Sequence, residues 1–110
     1  MQLATVSGLG LGLSAANADV LRVAVVMADN QADYDNNVTL LPAFAELLKK
    51  AAGVKSVYVG MDPSKMSITT SSVWGSADDA TKATSSDDWK AVAGKLKYKG
   101  YNAEVFEISQ

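Results

Sequence analysis

The 110 residues include no cysteine and no histidine. Without cysteine there can be no disulfide, and the redox compartment cannot be read from the chain. Without either residue, one chain cannot build a Cys/His zinc site, a histidine-ligated haem, or a Ser-His or Cys-His nucleophile pair. No metal or other cofactor is expected. Arginine occurs once, at Arg22, and proline only twice. Ten basic residues stand against twelve acidic ones, a formal charge of −2, with no basic patch. Nucleic acid and anionic membrane are therefore not expected partners.

What is present is enough apolar residue for a core, 48% of the chain, in a length typical of one domain. A domain this small buries a modest share of its surface, so an association that hides more apolar area would help it. Residues 1–18, "MQLATVSGLGLGLSAANA", carry no charge and end in the small-x-small pattern Ala16-Asn17-Ala18. They read either as a leader removed on export or as an arm packed on the domain or its partner, with a cytoplasmic protein in the second case. They are too short and glycine-rich to make a membrane span. The domain proper is expected over residues 19–110.

"VLRVAVVMAD", residues 20–29, predicts a strand. Val23 to Ala28 are all apolar, the pattern of a central strand covered on both faces. "NQADYDNNVT", residues 30–39, reads as polar and irregular. The repeat of Leu40, Leu41, Phe44, Leu47, Leu48 and Ala51 predicts a helix capped by Thr39, with Pro42 in its first turn and Gly53 as its stop. Strands are expected over residues 54–61 and 66–74. In the second, Met66, Ile68, Thr70, Ser72 and Trp74 share a face. Ser76 and Ser86, each followed by aspartates, read as caps of two helices, the second striped by Trp89, Val92, Ala93 and Leu96. "YKGY" reads as a turn around Gly100, and residues 103–109 as the last strand.

The order β-α-β-β-α-β predicts an α+β, ferredoxin-like fold, a four-stranded antiparallel sheet with its helices on one face. The first strand is apolar on both sides, so the uncovered face is expected to meet a second copy, giving a homodimer through sheet faces.

Three stretches resemble the dimeric α+β barrel proteins, which include antibiotic-biosynthesis monooxygenases and their haem-degrading relatives. "AGVKSVYVG" is similar to the family's helix end and second strand. "SVWGSADDA" is similar to its third strand, ending in an aromatic before a helix start. "SSDDWKAVAGKL" is similar to its second-helix pattern. The resemblance spans residues 20–109 and implies a dimeric α+β barrel. It also allows a cofactor-independent monooxygenase acting on an aromatic substrate. The haem-degrading relatives use a tryptophan that Trp74 matches, an asparagine on the first strand and a histidine. No asparagine lies between Val20 and Ala28, and there is no histidine, so haem degradation is not implied.

A pocket for a small apolar or amphipathic ligand (fatty-acid-like, polyketide or quinone) is expected between sheet and helices. Its expected lining is Trp74, Thr70, Ser72, Phe44, Leu48 and Trp89, because small hydroxyl side chains beneath a helix layer leave room and offer hydrogen bonds. Trp74 reads as pocket wall or as core; Trp89, at the head of its stripe, as core first. Trp74→Ala is accordingly expected to be the milder of the two truncations. Arg22 reads as a surface partner of Glu104 or Glu107, or as an anchor for a ligand carboxylate. "DYDNN" places Asp33, Asp35 and Asn37 like calcium-loop ligands. Val38 stands where the turn glycine belongs and Phe44 where the bidentate glutamate belongs, so no calcium site is expected. Asn37-Val38-Thr39 matches a glycosylation sequon by pattern alone.

Overall fold

The computed structural model describes residues 18–109. The readings of the N-terminal segment as leader or arm fall on residues outside this range, apart from Ala18. Four strands, β1 (Val20–Met27), β2 (Val54–Asp62), β3 (Ser67–Trp74) and β4 (Gly100–Glu107), form one sheet in the order β2-β3-β1-β4. All three pairings are antiparallel. Helix α1 (Gln31–Lys50) links β1 to β2, and α2 (Ala77–Thr84) with α3 (Asp87–Ala93) links β3 to β4. This is the expected ferredoxin-like arrangement, with the second crossover split into two short helices.

The first crossover helix is longer than the periodicity of its second half suggests. Residues 31–39, expected to be irregular, are helical, and the cap is Asn30, whose Oδ1 accepts from the Asp33 amide at 2.9 Å. Thr39, expected as the cap, lies mid-helix and donates its hydroxyl to the Asn36 carbonyl at 2.6 Å. Pro42 is therefore interior, tolerated on the exposed side of a helix that continues past it. The seam that docks this helix is Tyr34, Asn37, Leu41, Phe44 and Leu48, spaced three and four apart as one helical face requires. Asn37 breaks its apolar reading without breaking its geometry.

At the helix end Gly53 adopts φ +87°, and a Cβ there would run into the Asp79 carboxylate. The glycine is thus required both by its left-handed backbone and by the close approach of α2. Beyond β2, Asp62 caps a 3-10 turn at Pro63–Lys65. Hydrogen bonds from the Ser64 hydroxyl (2.6 Å) and amide (3.1 Å) hold its carboxyl below the ordinary carboxylate range. β3 begins at Ser67 rather than Met66, because Met66 sits in the left-handed region at φ 51°. β4 begins at Gly100, inside the stretch expected to turn.

Strand alternation sorts the sheet into two faces. On the helix side, Val20, Arg22, Ala24 and Val26 of β1 lie opposite Trp74, Ser72, Thr70 and Ile68 of β3, and all eight are buried. On the other side Leu21, Val23 and Val25 are half-buried, while Met27, Tyr58 and Phe106 are exposed. No described element covers that face. β1 is a central strand as expected, but its second face has no lid among the described residues. Among the described residues no helix is long and apolar enough to cross a membrane.

Candidate functional site

Two apolar clusters occupy the ends of the helix-covered face. One joins Val26, Ala28, Tyr34, Leu41 and Ile68; the other joins Val20, Leu48, Trp74 and Ala80. Between them lies a cavity of about 120 Å³, floored by Arg22, Ala24 and Thr70 and walled by Phe44, Trp89 and Leu96. Its rim carries Tyr98 and Tyr101, each about half exposed, with ring centroids 6.0 Å apart.

Each wall has a local cause. Phe44 faces inward as part of the α1 seam. Trp89 is the third residue of α3, and the Ser86 hydroxyl caps that helix by accepting from the Trp89 amide at 3.1 Å. The cap fixes where the indole leaves the helix. Its ring lies 4.9 Å from Phe44, tilted 58°, within the range in which aromatic pairs attract. The segment after α3, which carries Leu96 and Tyr98, is tied to α1 by two asparagines. Asn37 Nδ2 donates to the Lys97 carbonyl at 2.8 Å, and the Lys97 amide donates to Asn37 Oδ1 at 2.9 Å. Asn36 Nδ2 donates to the Lys95 carbonyl at 3.0 Å. Asn37 is fully buried, so the sequon-like triplet carries a clamp on the pocket wall, and its amide is not available to a glycan in the folded chain. Asp33 and Asp35 lie on the same helix, which does not wrap round an ion as a calcium loop does.

Arg22 is the unusual group. It is only 6% exposed, and its guanidinium carbon stands 5.5 Å from the Trp89 ring centroid, a cation–π distance. Nη2 donates to the Tyr101 hydroxyl at 3.3 Å, while Nη1 is buried without a hydrogen-bond partner. The expected pairing with Glu104 or Glu107 does not form. Arg22 lies opposite Val105, whereas Glu104 lies opposite Val23, on the other face of the sheet, and Glu107 opposite Val20. The sole ion pair among the described residues is Lys55–Asp19, at 2.9 Å on the surface. Thr70 Oγ1 is also buried without a partner.

Of the residues expected to line a pocket, Arg22, Phe44, Thr70 and Trp89 meet in this cavity; Trp74, Ser72 and Leu48 do not. The reason is α2. It lays Ala80 into the cluster around Trp74, which is fully buried. The indole Nε1 donates to Ser72 Oγ at 2.8 Å, so that hydroxyl is consumed within the core. Leu48, one helical turn beyond Phe44, joins the same corner. Trp74 is thus core, one of the two readings open to it, while Trp89, read as core first, stands at the cavity wall. Tyr98 and Tyr101 are not among the expected lining residues, because "YKGY" reads as a turn. Two aromatic residues bracketing the entry to an edge strand are the signal that could have found them.

Among the described residues no three carboxylates come close enough to hold a metal ion. No protein-family model matches the sequence, and no curated protein matches it in sequence. Solved structures do match in shape. A candidate antibiotic biosynthesis monooxygenase from Caulobacter crescentus superposes with a TM-score of 0.74 at 13% identity, over 86% of this chain and 93% of that one. A second, from Deinococcus radiodurans, gives 0.73 at 13% identity over 83% and 93%. SnoaB, a cofactor-independent oxygenase from Streptomyces nogalater, gives 0.68 at 16% identity over 84% and 95%. At these identities the likeness is one of fold: the chain has the ferredoxin-like α+β fold of antibiotic-biosynthesis-monooxygenase-type proteins.

Proposed function

We propose that this chain is a binding domain for a small amphipathic molecule, held between the sheet and the α1–α3 layer, and that it works as a homodimer through its uncovered sheet face. The observation that supports binding is the company kept in one cavity. An aromatic wall stands over Arg22 and Thr70, whose Nη1 and Oγ1 are buried with no partner among the described residues. Buried polar groups are nearly always paired, and ligand sites combine apolar walls with a few polar groups of this kind. Of the ligand types named from the sequence, a quinone or one ring of a polyketide suits about 120 Å³; a fatty-acid-like chain would have to extend past the tyrosine rim. Native mass spectrometry of protein purified without added ligand, followed by thermal-shift assays with benzoquinones and short fatty acids, tests the reading. A retained small molecule or a raised melting temperature is expected. No uptake at millimolar concentration would contradict it.

The dimer rests on the face carrying Leu21, Val23, Val25, Met27, Tyr58 and Phe106, too apolar to suit a domain standing alone. Light scattering at micromolar concentration is expected to give twice 11.5 kDa; a clean monomer would contradict it.

A second reading is a cofactor-independent monooxygenase acting on an electron-rich aromatic. The fold shared with SnoaB favours it. The substrate itself would supply the electrons for dioxygen, and the role of the chain would be to orient it, with Arg22 beside its oxygen. Oxygen uptake with a panel of phenols separates the two: consumption that requires folded protein supports the enzyme, and binding without consumption supports the binding domain.

A further inference from the structure

An arginine buried to 94% of its surface, the complement of its 6% exposure, is costly unless something compensates its charge. Among the described residues nothing ionised does. The cation meets a phenol oxygen and an indole face, and Nη1 meets no acceptor. Both of its cross-strand neighbours, Ser72 and Val105, are neutral. The fork of an arginine matches the two oxygens of a carboxylate, and Arg22 is among the residues that line the cavity. Thr70, the second unsatisfied group, lies one step diagonally across the β1–β3 pair, a separation of about 7–8 Å along the sheet. Above both stand Phe44 and Trp89, 4.9 Å apart and tilted to each other. A cavity of this size takes about one benzene ring.

We propose that the cavity is a site for a single-ring aromatic anion. Its carboxylate sits on Arg22, its ring lies against Trp89 and Phe44, and a polar ring substituent reaches Thr70. This rests on the reading that the cavity binds a ligand, and adds charge and ring size to it. Calorimetric titration of the full chain with three probes tests it: benzoate, benzamide and acetate. Benzamide keeps the ring and loses the charge; acetate does the reverse. Benzoate is expected to bind about tenfold or more tightly than either, the effect of one charge-assisted hydrogen bond. Benzamide equal to benzoate would overturn the anion site while leaving a ligand-binding cavity in place. Acetate equal to benzoate would overturn the role of the aromatic wall. No binding by any probe at millimolar concentration would overturn this proposal, and the wider reading would then rest on its own ligand assays.

Arg22→Met keeps volume and removes the charge. It is expected to abolish the preference for benzoate over benzamide without lowering the melting temperature, because an uncompensated buried charge is gone. A lower melting temperature with benzoate affinity unchanged would make Arg22 structural and overturn the assignment. Thr70→Val, nearly isosteric, is expected to fold as the parent does and to weaken salicylate severalfold more than benzoate. An equal effect on both would remove Thr70 from the site.

Discussion

Trp74 and Trp89 are the same side chain under the same helix layer, 15 residues apart in sequence, with opposite fates. Around Trp74 every demand is met. Its indole N–H reaches Ser72, Ala80 is small enough to let α2 close over it, and Leu48 completes a buried corner. Around Trp89 demands are left open. Among the described residues, its neighbours include a cation with no anion and a threonine hydroxyl with no partner. An aromatic residue becomes core where its neighbours satisfy one another, and a wall where they do not. The distinction lies in the neighbours and not in the tryptophan.

The largest expected effect comes from breaking the satisfied corner. Trp74→Ala should cost about 3–5 kcal/mol in urea unfolding, a large part of the ~5–15 kcal/mol such a domain has. Trp89→Ala should cost only roughly 1–2 kcal/mol, since its ring is partly exposed already. Equal costs would erase the contrast between core and wall. Next comes the clamp. Asn37→Ala removes two buried hydrogen bonds to Lys97 and should cost about 2–3 kcal/mol, and amide exchange at Lys97 should quicken while that at Val73 stays slow. Exchange quickening equally at both positions would show that the wall and the core are one unit.

Smaller effects sharpen the same contrast. Ser76→Ala removes the α2 cap, an acceptor 3.2 Å from the Asp79 amide, and should cost about 1 kcal/mol, felt at the Trp74 corner that α2 covers. The smallest effect is expected at Lys55–Asp19, where both partners are well exposed. Lys55→Met should change unfolding by roughly 0–1 kcal/mol, measured by the same urea titration, and less still at high salt.

The fold was legible because periodicity and caps survive without knowledge of neighbours. The doubly apolar β1, the hydroxyl-rich face of β3 and the serine caps at Ser76 and Ser86 all fall where their pattern puts them. The start of α1 was not legible, because Asn30 to Thr39 is rich in residues that favour turns. There the tertiary bonds of Asn36 and Asn37 to the Lys95 and Lys97 carbonyls favour the helix over local preference. The pocket was half legible. Phe44, Thr70, Trp89 and Arg22 could be placed on the covered side from alternation and helical spacing. Which tryptophan would be sealed depended on α2 folding over β3, a contact that no spacing within either element encodes. The environment of Arg22 was likewise hidden, since sheet register decides that its neighbour is Val105 and not a glutamate.

Trp89 with Arg22 is proposed to form a ligand site, whereas Trp74 belongs to the closed core. The most direct measurement is a two-dimensional ¹H–¹⁵N spectrum of the chain titrated with benzoate, read at its two indole N–H signals. Trp89→Phe assigns them by removing one. The Trp89 signal is expected to move progressively and saturate while the Trp74 signal, held by Ser72, stays in place. Movement of the Trp74 signal with Trp89 unmoved would contradict it.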